Sequence, residues 1–394
     1  MRFNAALSEH ESTPHAAEAV AASAKAAMPD SIDVAFVFFT AHHASEADEL
    51  LARIWAKLSP QALIGCSGEG VIALDREIER APGIALLVGR LPGVNVQPFH
   101  IRREEFAELA SDPKAFKERL GAGDPTRAVI AMGDPFTTPI PAFLEAMDEH
   151  LGGVPVIGGM ASAAHRPGEN VLFYNDGSVN EGLVGVSLSG GDLEVQTVVS
   201  QGCRPVGKTF VITRSKDNVI FTLGGKPALM ALRDAIMEMP AGDRELLENG
   251  LFVGRAISEY KERFGRGDFL VRNVMGVDND SGAIAVGELV RTGQTVQFHV
   301  RDAATASEDL GLMLAPQQLA GPAPLTGALL FSCNGRGTRL FDRPCHDVSA
   351  ARAALPAGAA VAGFFAAGEL GPVGGRNFIH GHTASFALFR AAGR

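Results

Sequence analysis

Three short apolar segments, Val34 to Phe39, Ala128 to Met132 and Ala328 to Ser332, open the same pattern of strand, polar loop, helical stretch and returning strand. This internal repeat constrains the fold more than any other feature. From the last residue of each opening strand to the glycine that starts the next loop, at Gly65, Gly158 and Gly363, the chain runs 26, 26 and 31 residues. That length suits a helix of about three turns and a returning strand. A further strand closes each unit, at Ile84 to Val88, Leu183 to Leu188 and Ala384 to Phe389. The sequence therefore predicts three related β-α-β-β units and a more divergent fourth around Phe269 to His299. In Glu46 to Leu58 the apolar residues Leu50, Leu51, Ile54, Trp55 and Leu58 recur at the helical period, with Ser45 placed to cap. Pro139 to His150 sets Phe143, Leu144 and Met147 on one side in the same way.

Crossovers between parallel strands are right-handed, so both polar loops of a unit meet at one edge of its sheet. TAHHAS at 40 to 45 is then expected beside CSGEG at 66 to 70, GDPFTT at 133 to 138 beside GMASAAH at 159 to 165, and CNGRGT at 333 to 338 beside FAAGEL at 365 to 370. The fold class that follows is α/β: two domains built from repeated β-α-β-β units, with mixed sheets covered by helices. The expected divisions are an extension over 1–30, one domain over 31–225 and a second over 226–391. Their boundary falls near Gly224, Gly225 and Pro227, ahead of a helical run from Ala228 to Met239.

Composition excludes several partners. The 394 residues carry a formal net charge of −10 with no basic run, which argues against nucleic acid. No apolar stretch approaches the roughly 18 to 20 residues that span a bilayer, so no membrane association is expected. Glu9, Glu11 and Glu18 interrupt the N-terminus where a signal peptide needs an apolar core, so the expected location is the cytoplasm. The four cysteines, Cys66, Cys203, Cys333 and Cys345, are too scattered for a disulfide framework or a metal knuckle, and free thiols are expected.

The chemistry concentrates in the last third. The strand ending at Cys333 runs into Asn334, Gly335, Arg336 and Gly337, which puts a thiol, an amide and a permanent cation where glycines let a ligand approach the backbone. The segment from Val361 to Phe389 adds Glu369, Asn377, His380 and His382. Arg336 suits a carboxylate, either on a ligand or as an ion pair with Glu369. His380 and His382, two apart in a strand, are expected on one face, as pocket residues or as ligands of a metal or haem iron. Cys333 with His346 or His380 would be the natural nucleophile and base of an enzyme, although no complete catalytic motif occurs. GCRPVGKT at 202 to 209 matches the phosphate-binding loop pattern, but FVITRSKDNVIF after it reads as a hairpin with its turn at Lys216 to Asn218, whereas the chemistry needs a helix.

GFFAAGELGPVGGRNFIHGHTA, with CNGRGT before it, resembles the C-terminal half of the FIST domain of F-box and intracellular signal transduction proteins, without an F-box. IGCSGEG at 64 to 70 resembles the family's N-terminal signature, with Gly68 and Glu69 where other residues are usual, and VIGGMAS at 156 to 162 and GCRPVGK at 202 to 208 look like family positions. The resemblance implies a small-ligand sensor that reports to a protein signalling partner. Its ligand would be a small anionic or zwitterionic molecule such as an amino acid, and haem is a rarer alternative. Cys333, Asn334, Arg336, Glu369, Asn377, His380 and His382 are the ligand-binding candidates; Cys66, Ser67, Gly158 and Met160 form a second set.

Overall fold

The computed structural model describes residues 1–123, 125–261, 263–265, 267–319 and 325–391. The chain divides into two compact units. The larger holds Met1–Val199, Leu310–Ile379 and the chain from Thr383; the smaller holds Ser200–Asp309 and His380–His382.

The first repeat of the larger unit comprises β1 (Arg2–Ser8), α1 (Thr13–Ala27), β2 (Val34–Thr40), α2 (Ala47–Leu58), β3 (Ala62–Gly68), the hairpin β4 (Gly70–Ala73) and β5 (Arg76–Glu79), and β6 (Ile84–Arg90). The second comprises β7 (Val94–Ile101), α3 (Phe106–Ser111), α4 (Pro113–Leu120), β8 (Thr126–Gly133), α5 (Ile140–His150), β9 (Val156–Met160), the hairpin β10 (Leu172–Tyr174) and β11 (Gly177–Val179), and β12 (Leu183–Gly190). The third starts with β13 (Leu193–Gln201). The smaller unit interrupts it with β14 (Cys203–Lys216), β15 (Val219–Leu223), β16 (Lys226–Pro227), α6 (Ala228–Glu238), β17 (Leu251–Ala256), β18 (Phe269–Asp278), β19 (Ala283–Val286) and β20 (Thr295–Arg301). It resumes in the later part of α7 (Ala303–Leu319), then β21 (Leu325–Cys333), α8 (His346–Ala354), β22 (Ala360–Ala366), the hairpin β23 (Glu369–Val373) and β24 (Arg376–His380), and β25 (Thr383–Ala391). Residues 1–30 thus form part of the first repeat rather than an extension, since β1 pairs with β6 along its length.

The opening strands β2, β8 and β21 are apolar because each is central. β2 is buried at every position, as a strand covered on both faces must be. Each runs parallel to its returning strand, β3, β9 or β22, and antiparallel to its closing strand, β6, β12 or β25. Each sheet is then completed by a hairpin from another repeat: β10 and β11 on β3, β23 and β24 on β9, β4 and β5 on β22. The three repeats exchange hairpins in a ring, so none completes its sheet alone. Gly65, Gly158 and Gly363 lie inside the returning strands rather than at loop starts. They sit opposite Val37, Ala131 and Leu330, and a Cβ at any of the three would overlap the carbonyl oxygen facing it. Only glycine allows that approach.

The inner faces of the three sheets share one core, in which Phe38 stacks on Phe364 at 5.1 Å and meets Phe331 edge-on at 6.3 Å. Such side chains each contribute about 1.5–3 kcal/mol of burial energy. The outer faces are covered separately, the first by α1 and α2, the second by α3 to α5, the third by α7 and α8. Ser45 does not cap α2. It lies in a 3-10 turn, Ala41–Glu46, and Glu46 takes the cap position.

In the smaller unit the strand order is β14-β20-β17-β18-β19-β15-β16, and β14 also pairs with β15, so the sheet curls back on itself. Phe269 to His299 supplies antiparallel strands here, and the expected fourth repeat is not present in it. The GCRPVGKT segment continues as strand β14 to Lys216 and turns at Asp217 and Asn218 into β15, the expected hairpin. No helix follows Lys208, so the phosphate-binding geometry is missing. Among the described residues no helix is long and apolar enough to cross a membrane.

Candidate functional site

The strand register makes the three repeats comparable position by position. Three places beyond the residue that faces the returning-strand glycine stands a polar residue in each repeat: Thr40 and Cys333 end β2 and β21, and Asp134 directly follows β8. On the incoming hairpins, Val71 faces Phe364, Leu172 faces Cys66 and Glu369 faces Gly159, which makes Val71, Leu172 and Glu369 equivalent. The first two loops are fastened by ordinary hydrogen bonds. Thr40 Oγ1 accepts from the Gly83 N–H at 3.0 Å, while Asp134 accepts from Thr137 Oγ1 at 2.7 Å and Asn170 Nδ2 at 3.0 Å. The third loop is built from ionisable groups instead.

Its centre is Arg336, which is fully buried and donates through Nε and Nη2 to Asp347 at 2.7 and 2.8 Å. Asp347 sits in the first turn of α8, and its carboxylate also accepts from Ser332 Oγ at 2.7 Å and meets His346 Nδ1 at 2.9 Å. Three residues satisfy it through four hydrogen bonds. Burial alone would raise the Asp347 pKa, but the charge and hydrogen bonds of Arg336 outweigh it and hold the carboxyl well below the usual range. His346 stacks on Phe341 at 3.4 Å, and the Arg336 guanidinium lies 5.3 Å from the same ring. The expected Arg336–Glu369 ion pair is not formed, because Asp347 takes the fork.

Two further acids flank the pair. Glu369 is fully buried at the start of β23, accepts from Thr383 Oγ1 at 2.7 Å and Thr383 N–H at 3.1 Å, and has the Cys333 thiol beside it. Burial pushes its pKa up to about 8, with Thr383 and Arg336 only partly opposing. Glu77, on β5 of the first repeat, is 6% exposed; its Oε1 accepts from the Val348 N–H at 2.8 Å. Burial first, and then the charge of Asp347, raise it to about 8. Burial thus favours the protonated, neutral form of both. Arg336 Nη1, Glu77 Oε2 and Glu369 Oε1 are buried with no hydrogen-bond partner among the described residues. One buried donor and two buried acceptors left open in one group call for an explanation. Outside the cluster lies a narrow pocket lined by Glu69, Glu79, Arg80, Asn334, Arg339 and Phe365. Arg339 pairs there with Glu69, and Glu79 accepts from the Thr338 N–H at 3.0 Å.

Of the residues expected from sequence, the structure brings together Cys333, Asn334, Arg336 and Glu369. Asn377 is spent elsewhere, accepting from the Val156 N–H and donating to Asp148 and the Val154 carbonyl. His380 and His382 belong to the smaller unit. They do not share a strand face: β24 ends at His380, and His382 has φ +64°, with Nε2 2.9 Å from Asn273 Oδ1. Cys66, Ser67, Gly158 and Met160 are strand residues of the core. Burial pushes the Cys66 thiol well up, and Ser67 Oγ accepts from the Val171 N–H. Sequence reasoning missed Asp347, Ser332 and Glu77. Comparing the repeats would have flagged Glu369 against Val71 and Leu172; Glu77 carries no such signal, because only the hairpin exchange brings it here.

Fold and site define an α/β protein of three hairpin-exchanging repeats with one charged loop cluster. Residues 33–226 match the FIST N domain and residues 228–372 match the FIST C domain. The chain belongs to the FIST family, whose domains are associated with signal transduction and sensory roles. An uncharacterised protein of Mycobacterium tuberculosis is 38% identical over 390 residues, covering 99% of this chain and 100% of that one. An uncharacterised protein of Mycobacterium bovis is 37% identical over 347 residues, 88% of each.

Proposed function

We propose that this is a cytoplasmic sensory protein that binds a small anionic or zwitterionic metabolite, such as an amino acid, at the Cys333–Arg336–Glu369 cluster and reports to a partner protein. The observation that carries this is the departure of the third repeat from the other two. Val71 and Leu172 serve the fold at the position where Glu369 stands buried, so packing does not require the carboxyl. Arg336 keeps one open donor for an anionic group although Asp347 neutralises its charge. A binding role is favoured over Cys333-dependent catalysis because the Cys333 thiol lies against Glu369 and donates to Asn334 Oδ1 at 3.9 Å, surroundings that hold its proton rather than draw it off. The test is a thermal-shift screen of amino acids and small carboxylates, followed by calorimetry of any hit on wild type and Glu369→Gln. Weakened binding in a folded variant supports the site. Equal binding refutes it and turns attention to the loops near Cys66 and Met160.

A further inference from the structure

Glu77 is assigned no role by sequence, and its surroundings give it two. Its backbone N–H donates to Cys345 Sγ at 3.3 Å, and Oε1 receives the Val348 N–H in the first turn of α8, so half of the side chain acts as a cap. The equivalent place in the hairpin from the second repeat holds Ser178, since Glu77 faces Ile72 as Ser178 faces Phe173. Ser178 likewise reaches the first turn of a helix, donating to Asp48 of α2. The two contacts differ in kind, since Ser178 donates to a side chain whereas Glu77 accepts a backbone N–H, and a carboxylate oxygen is left over only at Glu77. Oε2 of Glu77 remains, buried and unpartnered, in the same cluster as the unpartnered Nη1 of Arg336.

We propose that Glu77 is the acceptor for the ammonium group of a zwitterionic ligand whose carboxylate takes the open Nη1 of Arg336, so that the first and third repeats complete one site. This rests on the ligand-binding reading above and adds the residue and the group it holds. Arg336 and Asp347 already satisfy each other through Nε and Nη2, so the two ends of the ligand would take the atoms left over, the carboxylate Nη1 and the ammonium Oε2 of Glu77. The groups acting on Glu77 are Asp347 on α8, Glu79 on its own strand and Arg336 on the loop, with His346 on α8 bonded to Asp347. With Glu77 raised to about 8, ligand binding near neutral pH releases its proton to solvent, and affinity rises as pH climbs toward that value.

The experiment uses the whole chain and three probes: the proteinogenic L-amino acids, propylamine and propionate. Thermal shift on wild type identifies the amino acid bound, and calorimetry in phosphate and in Tris reads proton release from the difference in heats. Glu77→Gln keeps an oxygen for the Val348 N–H and cannot become an anion. The expected loss of affinity is roughly 10- to 150-fold for one buried charge-assisted contact, with proton release abolished and the melting temperature retained. Glu369→Gln serves as the comparison for the source of the proton. If Glu77→Gln binds the amino acid as tightly as wild type while Glu369→Gln does not, the Glu77 assignment is wrong and the site stands. If propionate binds as well as the amino acid, the ammonium contact is refuted. If no amino acid shifts wild type, the amino-acid reading fails, and this inference fails with it.

Discussion

Replacing Glu369 by Gln should make the protein more stable, and increasingly so as pH rises. The folded state holds the Glu369 proton with a pKa of about 8 against an ordinary value of 4.5. A raised folded pKa contributes stability that is fully present below the unfolded value and is lost as pH climbs through the folded one. At about 1.36 kcal/mol per pKa unit, the span from 4.5 to about 8 sets a ceiling of ~5 kcal/mol. Glutamine has nearly the same shape, keeps an oxygen for the Thr383 N–H and Oγ1, and carries no proton to lose. Wild type and variant should therefore unfold alike below pH 4.5, and the variant should lead by on the order of 2–5 kcal/mol above pH 8. Denaturant unfolding of both proteins across that range, at matched ionic strength, measures the difference. Parallel stability curves would show that the carboxyl is not held protonated and that the site is not charged in the way described.

Arg336→Met should cost about 3–5 kcal/mol in denaturant unfolding, because it strands the buried Asp347 carboxylate; adding Asp347→Leu should recover much of that. Gly158→Ala should prevent folding or cost more than about 3 kcal/mol, since its Cβ would overlap the Ala131 carbonyl, whereas Gly276→Ala, with open space around it, should stay within about 0.5 kcal/mol. ATP or GTP with Mg²⁺ should not shift the melting temperature of wild type, because Lys208 lies within a strand; a micromolar nucleotide affinity lost on Lys208→Ala would overturn that.

The repeat was legible because central parallel strands must be apolar at every position, which leaves segments such as VAFVFFT and ALLFSC plain in the sequence. The glycines were visible too, but their reason was not. They read as loop starts, whereas they admit the carbonyl of a strand that lies 27 or more residues earlier in the chain, as Gly65 does for Val37. The site was half legible. Cys333, Arg336 and Glu369 stand out as polar residues at the ends of apolar runs, while Glu77 comes from a hairpin that joins the sheet of another repeat. No local pattern encodes that exchange. His380 and His382 misled because strand periodicity was carried two residues past His380, where β24 ends, into a turn where His382 adopts positive φ.

The central claim is that the charged loop of the third repeat, joined by the first repeat's hairpin, is where the ligand sits. Amide hydrogen exchange with and without the amino acid found by thermal shift tests it most directly. The account predicts protection concentrated at Asn334 to Arg339, Glu77 to Arg80 and Ala366 to Glu369, and little change in the equivalent loops of the other repeats. Protection centred on Thr40 to Glu46, on Asp134 to Thr138 or in the smaller unit would contradict it.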